Sequence, residues 1–154
     1  MTFLSDISIT AQALELYKSE SREKKKPALN QPPLSQIIED LDLEHHIREG
    51  GLTGEKLTIF LQRYLSSTTR LHHPGYLSHQ VSVPHHAGSV AALIDGFINN
   101  PMAIYEMGPA ATAIERIVMQ WLGKKFGFED ADGVMVSGGS LGNLTALLAA
   151  RQLA

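Results

Sequence analysis

The sequence contains no cysteine. That excludes disulfides and thiolate metal sites and fits a reducing interior. It also lacks an excess of either charge. Thirteen basic against sixteen acidic residues leave a formal net charge of −3, so nothing electrostatic points to nucleic acid or to an anionic membrane. No targeting signal opens the chain, because Met1 to Asp6 holds no basic segment followed by a long apolar one. The longest apolar run, Ala87 to Ile98, is cut by Asp95 and is too short to span a bilayer. No internal repeat is present. A cytoplasmic protein is the expectation.

What is there fits a soluble globular domain: 154 residues, 44% hydrophobic and 19% charged. Helical spacing of Ala11, Leu14 and Tyr17 predicts a first helix over 8–20, with Ser5 and Asp6 available as caps. A polar run ending in three lysines and the prolines at 27, 32 and 33 predicts an extended connector. A second helix is expected over Leu34 to Arg48, stopped by Gly50-Gly51. The third, about 54–66, carries Leu57, Phe60, Leu61, Tyr64 and Leu65 as an apolar stripe behind an N-cap at Thr53. Residues 70–86 read as irregular. A fourth helix is expected at 88–99, a strand-like linker over Met102 to Met107, and a fifth helix from Gly108-Pro109 to Gly127.

Near its end the chain runs Gly133-Val134-Met135-Val136-Ser137-Gly138-Gly139-Ser140-Leu141-Gly142-Asn143-Leu144. This reads as a short buried strand over 133–136, a glycine pair that tolerates positive φ, and a sixth helix from Leu141. Ser140 is placed to cap that helix and to donate to an anion. Free amides at a helix start suit a phosphate group. The turn is not a P-loop, since no Lys-Ser/Thr pair follows, and it fails the G-x-G-x-x-G spacing of a dinucleotide fingerprint. One strand cannot satisfy its own hydrogen bonds. The expected architecture is therefore mostly α with one or two short strands, the front part of an α/β protein whose remaining strands lie beyond Ala154.

Three ordered stretches add to this reading. They are His73-Pro74 with Gln80-Val81-Ser82, then Tyr105 to Glu115, then Val136 to Arg151. Together they resemble the group II pyridoxal-phosphate-dependent amino-acid decarboxylases, the relatives of glutamate, aromatic-amino-acid and diaminobutyrate decarboxylases. The resemblance covers most of the chain from about residue 34 but only the first third or so of a family member. It implies an aspartate-aminotransferase-like large domain, here begun at 71–154, preceded by a helical arm over 1–70 that packs against a second subunit. It also implies that Gly139 and Ser140 anchor the phosphate of pyridoxal 5'-phosphate and that Gln80 and Ser82 lie near the carboxylate of an amino-acid substrate. Leu141-Gly142 departs from the commoner Glu/Gln-Ala/Ser pair. In the family the Schiff-base lysine, the aspartate at the ring nitrogen and the stacking histidine all follow the Ser-Gly-Gly turn. Here the last lysine is Lys125, before it, so no catalytic residue is assigned and the chain alone is expected to be inactive.

Two readings from other classes stand beside this one. The apolar helices 54–66 and 111–126 could make a non-catalytic module for self-association. The seven histidines, with doublets at 45–46, 72–73 and 85–86, could bind metal through His73, His79 and His85. Neighbouring residues point in different directions, however, and no carboxylate with ligand spacing accompanies them, so no metal site is assigned.

Overall fold

Among the described residues, seven helices form where the sequence offers caps, apolar periodicity and glycine or proline punctuation. The computed structural model describes residues 2–77 and 79–153, Leu153 by its backbone alone. The helices are α1 (Phe3–Arg22), α2 (Leu34–Leu41), α3 (Leu43–Glu49), α4 (Gly54–Ser66), α5 (His86–Ile98), α6 (Pro109–Lys125) and α7 (Gly139–Leu153). The chain divides into two units, 1–89 and 90–154, with the division falling inside α5.

In the first unit α1 and α2 both pack on α4. Helix α1 starts five residues earlier than its apolar spacing predicts. Thr2, not Ser5 or Asp6, is the N-cap: its hydroxyl accepts from the Ser5 amide at 3.3 Å, while the Ser5 hydroxyl accepts from the Thr2 amide at 3.1 Å. Asp6 serves a different helix. Its carboxylate accepts from the Gly54 amide at 3.1 Å and so caps α4, where Thr53 occupies the cap position without a side-chain bond. The single helix expected over 34–48 is two, broken at Asp42, whose φ of 46° is left-handed. The α1–α4 pair leaves a groove of about 400 Å³ lined by Ile9, Gln12, Leu16, Gln62, Leu65 and Arg70.

Arg70 ties this unit together. Its Nη1 donates to the Tyr17 carbonyl and to the Ser21 hydroxyl, both at 3.0 Å, and Nη2 reaches Glu20 at 3.4 Å. The guanidinium lies 4.3 Å from the centre of the Tyr17 ring. Its own amide donates to the Ala28 carbonyl. Through its side chain and its amide, Arg70 thus joins the segment after α4 to the end of α1 and to the loop that follows α1.

In the second unit Gly108 is the N-cap of α6 and Pro109 its first residue; α6 ends at Lys125 with Phe126 as its C-cap, and Gly127, at φ 86°, lies just beyond. Residues 102–107 form turns rather than a strand, with the Met107 amide bonded to Ile104 and Gly108 to Tyr105. The strand expected over 133–136 is absent too, and no strand occurs among the described residues. The physical reason is the one that made a lone strand doubtful. A ladder needs a second segment, and none lies alongside among the described residues.

Residues 131–135 instead run extended along α6. A Cβ on Gly123 would overlap that of Ala131, and one on Gly133 would lie 3.1 Å from the Met119 sulfur. The Met135 amide donates to Glu115 Oε1 at 2.7 Å. Helix α7 then begins at Gly139, two residues before the expected start.

Candidate functional site

The turn Ser137–Ser140 joins the extended segment to α7. Its backbone enters the helix directly, with the Gly142 amide bonded to the Gly138 carbonyl at 3.0 Å. The amides of the first turn before Gly142 therefore have no helical acceptor, the usual condition of a helix start. A Cβ on Gly138 or Gly139 would meet nothing within 4 Å. Neither glycine adopts positive φ, although glycine would tolerate it there. Within this chain, then, neither steric crowding nor a left-handed backbone requires glycine there. What the pair leaves is unobstructed access to the backbone.

Ser140 stands one residue inside α7, exposed, and its side chain makes no capping bond among the described residues. Its hydroxyl and the leading amides share one end of the helix, where the backbone dipole favours an anion. Val136 fixes the other side of the turn, since a Cβ on Gly142 would sit 3.4 Å from Val136 Cγ2.

Gln80 and Ser82 lie in the irregular segment of the first unit and both are exposed. His79, just before them, has φ 59°. Gly139 and Ser140 belong to the second unit. No group of three or more His, Asp or Glu side chains able to hold a metal ion occurs among the described residues. His72 is half-buried, and burial, reinforced by Arg22 and Lys18, holds its imidazole below the usual 6.5. The Pro84 carbonyl and Glu15 oppose that shift. A second cavity, about 340 Å³, lies near the end of α6 between Arg116 and Lys124 on one side and Glu129, Asp130 and Asp132 on the other.

No motif in the sequence pairs Glu115 with Met135. A spacing signal was present. Residues 115, 119 and 123 are four apart on α6, whereas 131, 133 and 135 are two apart on an extended run, so each set forms one stripe.

The conserved domain of pyridoxal-dependent decarboxylases matches residues 57–154. An aromatic-L-amino-acid decarboxylase of Bacillus atrophaeus is 32% identical over 143 residues, 92% of this chain and 30% of that protein. An L-2,4-diaminobutyrate decarboxylase of Acinetobacter baumannii is 28% identical over 105 residues, 68% of this chain and 21% of the relative. An acidic amino acid decarboxylase of Mus musculus is 27% identical over 121 residues, 79% of this chain and 22% of the relative. The chain thus spans less than a third of the length of these relatives.

Proposed function

The chain belongs to the pyridoxal-dependent decarboxylase family, and on that premise we propose that it carries the phosphate-holding part of an enzyme that removes the α-carboxylate of an L-amino acid. The leading amides of α7, with Gly139 and the Ser140 hydroxyl, hold the phosphate of pyridoxal 5'-phosphate. The observation that carries this reading is the open approach to Gly138 and Gly139 at a helix start inside the matched region. When bound, the cofactor supplies a ring that accepts the electron pair left as carbon dioxide departs.

The chain's own residues bind and orient. Gln80 and Ser82 hold the substrate carboxylate by hydrogen bonding, and residues 1–70 form an arm that pairs with a second copy. No lysine follows Lys125 within these 154 residues. By itself the chain binds but does not decarboxylate.

Equilibrium dialysis against pyridoxal 5'-phosphate and, separately, pyridoxal tests the phosphate reading. Surface lysines take up both aldehydes, whereas a phosphate site favours only the first. We expect at least about a tenfold preference for the phosphorylated form, lost in Ser140→Asp, where a carboxylate repels the phosphate. Equal retention of the two would overturn the reading.

A second reading, self-association without catalysis, draws support from the apolar exposure of the arm. Leu4, Leu16, Leu34, Ile38 and Ile47 are each at least 60% exposed. It is compatible with the first, because the arm and the turn lie in different units.

A further inference from the structure

We propose that Glu115 is a positioning residue that sets the geometry of the Ser137–Ser140 turn through the Met135 amide, a role that rests on the phosphate reading for its purpose but not for its existence.

The argument starts from the register between helix and extended segment. Four residues of α-helix rise about 6.0 Å and two residues of extended chain about 6.6 Å, so the two repeats stay in step over a short distance. Ala131 meets Gly123, Gly133 meets Met119, and Met135 meets Glu115. The first two meetings are steric. They bring backbones close but do not fix rotation about the segment. The third is a directional bond to a carboxylate, 2.7 Å long and of the stronger, charge-assisted kind. It also falls nearest the turn, two residues before Ser137.

From there the path to the turn is short. Val136 follows Met135 and lies against Gly142 in the first turn of α7. Fixing Met135 fixes the direction of Val136, and Val136 in turn seats the start of α7. The Met135 amide, in a run without a strand partner among the described residues, has Glu115 as its acceptor. Three other acidic groups of this unit, Glu129, Asp130 and Asp132, face the cavity near the far end of α6. The Asp132 carboxylate accepts from the Gly133 amide instead.

Amide exchange on the isotopically labelled 154-residue chain tests this in the wild type, Glu115→Ala and Glu115→Gln. In Glu115→Ala we expect the Met135 amide to exchange about tenfold faster. The amide shifts of Gly139 to Gly142 should move with it. Glu115→Gln keeps an acceptor oxygen and should restore most of both. Unchanged Met135 exchange or unmoved turn shifts in Glu115→Ala would overturn the proposal, as would a Gln variant as damaged as the Ala one. Protection of the α6 amides at Ile117 to Gln120 separates a local effect from unfolding. If Glu115→Ala unfolds, Glu115→Gln decides alone, with native turn shifts in support and altered ones against. Titration with inorganic phosphate distinguishes the two claims. A wild type that ignores phosphate removes the phosphate reading, while the exchange data still judge Glu115.

Discussion

Arg70 concentrates more structure than any other described side chain of the first unit, and nothing in the sequence marked it. It sits in a stretch, Thr68 to Leu71, with no periodicity, and its partners Tyr17, Glu20 and Ser21 are about fifty residues away. Its side chain is 8% exposed and that of Glu20 25%. Removing the cation leaves a half-buried carboxylate and the Ser21 hydroxyl without their donor. We expect Arg70→Met to cost the first unit about 2–4 kcal/mol, read by denaturant unfolding monitored in that unit. His72 gives a pH dependence of known sign. Because its folded pKa lies below the unfolded value near 6.5, the unfolded chain takes up a proton more readily. The contribution is complete above pH 6.5 and is lost as pH falls through that value toward the lower folded one. Unfolding midpoints measured from pH 7.5 to pH 5 should fall more steeply in the wild type than in His72→Gln. The Nδ1 of His72 has no partner among the described residues, consistent with burial as the leading cause.

Elements were legible wherever a helix carried its own signals. Helix α4 over Gly54–Ser66 and the Gly108-Pro109 start of α6 follow from apolar spacing and proline placement. The caps were less so, because Thr2 on α1 and Asp6 on α4 act through partners that periodicity cannot name. The run Gly133 to Val136 has the composition of a buried strand, but a strand is a property of two segments and the second is absent among those described. What its spacing did contain was the match to α6. That match predicts an unusual sensitivity at Gly123, where an added methyl would meet Ala131. Gly123→Ala, ordinarily favourable within a helix, should destabilise the second unit by about 1–3 kcal/mol. Gly123→Ala combined with Ala131→Gly should recover most of the loss in the same melt.

Many large apolar side chains among the described residues are exposed. No large hydrophobic residue is buried among the described residues, while Trp121, Phe128, Leu144 and Leu147 are all more than half exposed. Hydrophobic association is then the expected behaviour of the arm and of the second unit alike. Sedimentation velocity over a hundredfold concentration range should show a mass that rises with concentration, and a monomer throughout would contradict it. Composition gave no hint of this exposure, since a 44% hydrophobic fraction suits a filled core equally well. The candidate site was legible in a different way. Gly139 and Ser140 came from the turn pattern and the family resemblance, while Glu115 needed the fold, because its bond spans twenty residues. The central claim is that the start of α7 receives a phosphate. Titrating the labelled chain with inorganic phosphate and following its amide shifts tests it most directly. The account predicts saturable shifts centred on Gly139, Ser140 and Leu141 that vanish in Ser140→Asp. Shifts confined to Lys24, Lys25 and Lys26, or none at all, would contradict it.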